Sequence, residues 1–270
     1  MIANLLSIAG SDPSGGAGIQ ADLKTFSALG TYGCAVLTAL TAQNTRAVTG
    51  VELVPPAFVA AQIDTLFADV RIDAVKIGMV ATAEIARVVA DRLRAHTPPW
   101  IVVDPVMVAK SGDRLLAADA VAVVREALLP LASVVTPNLP EASVLTGRPE
   151  PDTRDAMPEL ARAVLALGPR HVLLKGGHLG GDSSPDLLVS ADTVTWLEAP
   201  RIATRHTHGT GCTLSAAIAA HLPQHGAVLP AVRAAKAWLH RAIAAADRLE
   251  VGRGQGPVHH FHALWSETVG

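Results

Sequence analysis

From Thr207 to Ile218 the sequence THGTGCTLSAAI runs a glycine-punctuated turn straight into an uncharged, almost wholly apolar helix. Such a junction holds anions. The N–H groups of Gly209, Thr210, Gly211 and Cys212 have no partners inside the helix they open, and the helix dipole adds partial positive charge there. Glycine lets that backbone approach a phosphate closely. Cys212 adds reactivity, because a thiol at a helix N-terminus has its anionic form favoured and could serve as a base beside the phosphate. The same residues also suit a capped, buried helix with a small cysteine in the core, and the rest of the chain must decide.

Other candidates follow other apolar runs. GSDPSGGAG, from Gly10 to Gly18, leads into a helix that carries Gln20, Asp22 and Lys24, but glycines at 10, 15, 16 and 18 allow no G-x-G-x-x-G register, which argues against a dinucleotide fingerprint. DPVMVAKSGD, from Asp104 to Asp113, is polar and glycine-containing and could fold over a ligand or be an ordinary strand–helix connection. TPNLPE sets Asn138 and Glu141 three residues apart at a helix start. Oxygen ligands so placed suit Mg²⁺, while capping alone would explain Glu141 equally well. Lys175 ends an apolar run before Gly176, Gly177 and His178, as a contact for a polyphosphate chain. An anion-holding turn, an Mg²⁺ pair and the lysines Lys110 and Lys175 point together to phosphoryl transfer, which depends on positioning and charge neutralisation. The chain has no G-x-x-x-x-G-K-[ST], so the standard nucleotide loop is excluded.

These residues need a sheet to gather them. Asn4–Ala9, Cys34–Ala39, Ala74–Met79, Ile101–Val103, Ser133–Thr136 and Val172–Lys175 are short apolar runs bounded by Gly, Pro, Asn or Asp, and they alternate with helical periods. That alternation predicts a parallel sheet covered on both faces, with ligands at the carboxyl ends of its strands. Val59, Ile63, Leu66 and Val70 form one helix face, as do Ile85, Val88, Val89 and Leu93, and a third stripe runs from Val232 to Leu249. Asp182 to Leu197 reads as an edge hairpin around Ser190-Ala191-Asp192.

Composition narrows the function. The 270 residues are 50% hydrophobic with a formal net charge of −2, and no long linker or internal repeat divides them, so one domain over 1–270 is expected. Nucleic acid is excluded as a partner by the absence of any basic run. No uncharged apolar stretch reaches the roughly 18 to 20 residues of a membrane span, and MIANLLSIAGSD lacks the features of a leader, so a cytoplasmic protein is expected. Cys34 and Cys212 are read as free thiols, Cys34 as a small buried hydrophobe.

The ordered set AGSDPSGGAGIQADLKTFSALG, VKIGM, DPVMVAKSG, TPNLPEA, LLKGGH, HGTGCT and VGRGQGPVHHFHALW resembles the hydroxymethylpyrimidine and phosphomethylpyrimidine kinases of thiamine biosynthesis, members of the ribokinase-like superfamily. The resemblance covers essentially the whole chain. It implies a three-layer αβα sandwich with a mostly parallel central sheet. It also implies ATP and Mg²⁺ as cofactors, a homodimer, and two successive phosphorylations of 4-amino-5-hydroxymethyl-2-methylpyrimidine. By that resemblance Gly209, Gly211, Cys212 and Lys175 are catalytic, and Gln43, Gly10, Asp22, Met79 and Val106 surround the pyrimidine. Lys175, Asn138, Thr207 and Lys110 attend the nucleotide, and Glu141 with Asn138 the metal. A carboxamide at 43 can accept from the exocyclic amine and donate to the ring nitrogen in one bidentate contact. Met79 suits core packing as well as a ring wall.

The cluster His259, His260 and His262 lacks acidic partners and is read as structural, while His206 and His208 could touch nucleotide or merely shape their loop. The rival readings are a pyridoxal kinase of the same superfamily and a ligand-binding regulator that has lost catalysis.

Overall fold

The computed structural model describes residues 1–107 and 118–265. Its strands, in chain order, are β1 Asn4–Ser11, β2 Tyr32–Gln43, β3 Val48–Leu53, β4 Ala74–Ile77, β5 Ile101–Val103, β6 Val134–Val135, β7 Val172–Lys175, β8 Asp186–Val189 and β9 Val194–Leu197. The helices are α1 Gly18–Ala28, α2 Pro56–Phe67, α3 Ala83–His96, α4 Ala118–Val123, α5 Leu139–Thr146, α6 Met157–Leu165, α7 Thr210–His225 and α8 Val228–Ala244. Among the described residues the strands form one nine-stranded sheet in the order β3-β2-β1-β4-β5-β6-β7-β8-β9. From β2 to β7 neighbours run parallel, and β3, β8 and β9 are antiparallel at the two edges.

Side chains two residues apart share a sheet face, and the core divides accordingly. Leu6, Ile8, Val75, Ile77 and Val103 pack with α2, α3 and α6 on one face, through Val59, Ile63, Val89, Leu93 and Val164. Leu5, Ala74, Val102, Val134 and Leu173 pack on the other with Phe26 of α1, the alanine-rich α7, and Trp238 and Leu239 of α8. Both faces are therefore covered, which explains why the central strands are continuous apolar runs. The result is the expected three-layer αβα sandwich.

Several boundaries differ from the sequence reading. β2 extends to Gln43, so that residue ends the strand instead of following it. β3 carries no apolar run because it is an exposed edge strand, and nothing in its composition announces it. The third helical stripe stops at Ala244, and a 3₁₀ turn, Ala246–Arg248, completes it. The edge hairpin is present as β8 and β9, closed by Ser190 N–H donating to the Thr193 carbonyl at 2.9 Å. No described helix is long and apolar enough to cross a membrane.

Candidate functional site

A cavity of about 790 Å³ lies along the carboxyl ends of the parallel strands. It is lined by Gly10 and Asp12 after β1, Gln43 of β2, Lys76 of β4, Met79 beyond it, and Asp104 and Val106 beyond β5. Asn138 and Glu141 at the start of α5, Lys175 ending β7, and Thr207 to Cys212 at the start of α7 complete that wall. Gly10 and Cys212, 202 positions apart in sequence, thus face one space.

Each loop is held by specific bonds. Gly209 caps α7 in the left-handed region, φ 74°, and a Cβ there would strike the Gly16 carbonyl. Only glycine fits at that contact. In the first turn of α7 Thr213 N–H bonds the Gly209 carbonyl at 2.8 Å, while the N–H groups of Gly211 and Cys212 have no backbone acceptor among the described residues. Gly211 faces the charges directly, for a Cβ on it would lie 3.4 Å from Lys175 Nζ and 3.6 Å from Asp104 Oδ2. The Asp12 carboxylate accepts from Ser14 N–H and Ala17 N–H, at 2.8 and 2.9 Å, and meets His208 Nε2 at 2.7 Å. These bonds fasten the glycine-rich loop to the anion turn.

Lys175 Nζ is 3.2 Å from Asp104 Oδ1 and 3.9 Å from Glu141 Oε2. Burial works against its charge, but those two carboxylates hold the ammonium above its usual range. Burial pushes the Glu141 carboxyl up to about 7, against the pull of Lys175 and with Asp104 adding repulsion. Asn138 and Glu141 form a reciprocal capping box, Asn138 N–H to Glu141 Oε2 at 2.8 Å and Glu141 N–H to Asn138 Oδ1 at 2.8 Å.

Two expectations are corrected. Cys212 is not a low-pKa thiol: burial, with Asp22 and Asp104 near, outweighs Lys76 and raises it to about 11. Asp22 does not face the cavity; its carboxylate is wholly buried and takes Ser7 Oγ at 2.5 Å and Lys76 Nζ at 2.8 and 3.0 Å. The Asn138 side-chain oxygen is committed to the cap, so the carboxylates that face the cavity here belong to Glu141 and Asp104. Lys110 lies outside the described residues.

Gln43, Gly10, Met79 and Val106 do share the cavity. Gln43 Oε1 accepts from Thr41 Oγ1 at 3.1 Å, and a Cβ on Gly10 would press on Met79 Cε at 2.5 Å. At the far end Ile202, Leu214, Leu239 and Ile243 line an apolar slot beside His240, whose Nε2 is buried without a partner. Arg201 binds the carbonyls of Gly177, Leu179, Gly181 and Ser183, fixing the turn that borders this slot.

The family model described as phosphomethylpyrimidine kinase matches residues 12–259. The chain belongs to the phosphomethylpyrimidine kinase family. It is 58% identical to a hydroxymethylpyrimidine/phosphomethylpyrimidine kinase of Rhizobium meliloti, over 99% of this chain and 100% of that one. It is 57% identical to the protein of the same description from Escherichia coli, over 97% of this chain and 98% of the other. An ADP complex of Bacillus subtilis pyridoxal kinase superposes with a TM-score of 0.89 at 38% identity, covering 96% of this chain and 98% of that chain. The sandwich is ribokinase-like, as its sequence motifs imply.

Sequence reasoning missed four members of this kinase-family site. Lys76 and Asp104 read as parts of a strand and a loop, because a lone lysine between valine and isoleucine gives no sign of its partner 54 positions away. Asp186 and Lys236, paired at 2.6 Å on the cavity wall, belong to β8 and α8 and share no motif. His259 and His260 are buried, and His260 Nε2 meets Thr213 Oγ1 of α7 at 3.0 Å. Among the described residues no cluster of three or more His, Cys, Asp or Glu could hold a metal ion. Cys34 is partly buried against the core, and both cysteines are free.

Proposed function

We propose that this protein transfers the γ-phosphoryl group of ATP to the hydroxyl of 4-amino-5-hydroxymethyl-2-methylpyrimidine, and then transfers a second one to the resulting monophosphate. The observation that carries this reading is one cavity holding the Gln43 amide, the Cys212 thiol, the free amides of α7 and the Lys175–Asp104 pair. In each step the bond between the γ-phosphorus and the β,γ-bridging oxygen breaks as one forms to the acceptor oxygen. ADP leaves, and in the first step the alcohol proton leaves with the transfer. The amides of Gly211 and Cys212 and the Lys175 ammonium meet the charge that spreads over the phosphoryl oxygens. Gln43 orients the ring, with Gly10, Met79 and Val106 as its walls. The apolar slot and the unpartnered His240 nitrogen suit a nucleotide base, with Thr207 and Asn138 nearer the phosphates.

Mg²⁺ fits this donor set. Asp104 and Glu141 bring two carboxyl groups to one lysine at the cavity wall, and Mg²⁺ commonly takes one or two carboxylates plus phosphate oxygens. When bound, it would neutralise phosphate charge. Residues 1–270 act here as one catalytic unit. A two-fold homodimer is the assembly we assign, in keeping with the exposed Leu40, Val51, Leu53 and Phe58 on and beside the β2–β3 edge. The two free thiols accord with the reducing cytoplasm.

The test is incubation of the purified protein with ATP, Mg²⁺ and the pyrimidine alcohol, with products separated by anion exchange. Monophosphate should appear first and diphosphate next, each with ADP. Pyridoxal run in parallel should be the poorer acceptor. No ADP release with either pyrimidine would refute the reading and favour a binding protein.

A further inference from the structure

Lys76 is a fully buried lysine in the middle of the sheet, and the chemistry above makes no use of it. Its Nζ lies 2.8 and 3.0 Å from the two oxygens of Asp22, and Ser7 Oγ takes one of those oxygens as well. The pair is oriented. Lys76 is among the residues that line the cavity and Asp22 is not, so the lysine is the member of the buried pair nearer the ligand space. Gly78 leaves room for that ammonium: a Cβ there would sit 2.9 Å from Nζ and 3.0 Å from Ala9 Cβ. The negative charges of Asp22 and Asp104 act on Lys76 and keep it protonated against the cost of burial.

A buried ion pair is poor value for stability, since well-packed apolar isosteres are often as good or better. Its use should be sought in the ligand. Both proposed transfers draw on the same ATP end, and what changes is the acceptor, first a neutral alcohol and then a phosphate monoester of about −1.5 to −2 charge at pH 7. That anion must enter a space already holding a nucleotide polyphosphate and the carboxylates of Asp104 and Glu141. Among the described cations of the cavity, Lys175 is engaged by those carboxylates, Lys236 by Asp186, and Arg201 by backbone carbonyls. Lys76 is likewise paired, with Asp22, but it comes from β4, the strand that leads to Met79 of the proposed ring wall.

We propose that Lys76, held by Asp22, is the specificity-determining residue for the second phosphorylation, the cation that lets the cavity accept a phosphate monoester. This inference rests on the proposed function. The test compares kcat/KM for the pyrimidine alcohol and its monophosphate, both at saturating ATP, in wild type and in the paired variant Lys76→Met with Asp22→Leu, which leaves no orphan charge. A second variant, Lys76→Gln with Asp22→Asn, keeps the polar contacts without the charges, so the ratio can be read even if the apolar pair folds poorly. The monophosphate-to-alcohol ratio of kcat/KM should fall about 10-fold or more, chiefly through KM, and calorimetric binding of the monophosphate without nucleotide should weaken in parallel. Equal losses for both acceptors, or an unchanged ratio, would overturn the inference by leaving the pair a structural role. Failure of the proposed function itself would look different, as wild-type protein inactive on both acceptors.

Discussion

Asp12 and His208 stand 196 positions apart in sequence, yet Oδ2 of one lies 2.7 Å from Nε2 of the other. The contact is almost wholly buried, and it ties the glycine-rich loop after β1 to the turn that opens α7. Burial pushes the Asp12 carboxyl up, but hydrogen bonds from His208 and Ser14 and the His208 charge outweigh it and leave the group below its ordinary value. Its contribution to stability is therefore present above about pH 3.8 and lost as pH falls below that value.

Asp12→Ala strands several donors at once, the Ser14 and Ala17 N–H groups and the His208 ring. Unfolding in urea should show a loss of about 1–3 kcal/mol, the usual cost of orphaned buried partners. Turnover should fall for alcohol and monophosphate alike, because the anion turn serves both transfers. Wild-type stability and kinetics in the variant would show that the contact is idle.

Gly209 and Gly211 separate folding from catalysis. Gly209→Ala meets a left-handed φ and the Gly16 carbonyl, so the variant should lose several kcal/mol, beginning with about 1–2 from the backbone alone, and lose activity with it. Gly211→Ala makes only ordinary contacts, at 3.4 and 3.6 Å, and alanine favours a helix. Its melting temperature should match or exceed that of wild type, while its methyl group, set between Lys175 and Asp104, lowers kcat about 10-fold or more. Full activity in Gly211→Ala would remove that glycine from the phosphoryl path.

His260 sets a pH dependence of stability. Burial, with Lys24, His259 and His262 nearby, lowers its pKa to about 3, so the folded protein keeps the ring neutral where the unfolded chain would protonate it near 6.5. Stability is complete above about 6.5 and declines as pH falls from there toward 3, by at most about 1.4 kcal/mol per unit for this one group. His260→Gln retains a partner for Thr213 Oγ1 without the titration. Urea midpoints at pH 7.5 and 5 should differ less in the variant than in wild type, and an equal difference would assign the slope elsewhere.

Local signals made much of the fold and part of the site legible. Val172–Lys175 announces itself by a buried apolar run, and the α7 turn by its glycines. β3 does not, because an exposed edge strand needs no apolar face. Lys76 and Asp22 show the corresponding limit at the site: their meaning lies in a contact across 54 residues, which no spacing rule encodes. Cys212 marks a third kind of limit. The helix-terminus argument gives the right direction for one force, but burial among Asp22 and Asp104 is larger and could be seen only once the chain had folded.

That reversal bears on how the first transfer loses its proton. With its pKa raised to about 11, Cys212 is a neutral thiol at physiological pH, able to hydrogen-bond the acceptor alcohol but not to accept its proton in the resting enzyme. A neutral hydrogen bond is worth about 0.5–1.5 kcal/mol, or roughly 2- to 13-fold in rate, whereas a general base gives about 10²–10⁴. Cys212→Ala should therefore slow phosphorylation of the alcohol by about 2- to 13-fold. The monophosphate, whose attacking oxygen already carries charge, should be slowed less. The pH–rate profile of the alcohol between about 6 and 9 should keep the same shape in both proteins, since the thiol does not titrate there. A loss of 100-fold or more on the alcohol alone, together with an inflection that vanishes in the variant, would instead make the thiolate the base. In a loose transition state the alcohol proton can leave late, so a modest partner at this position suffices.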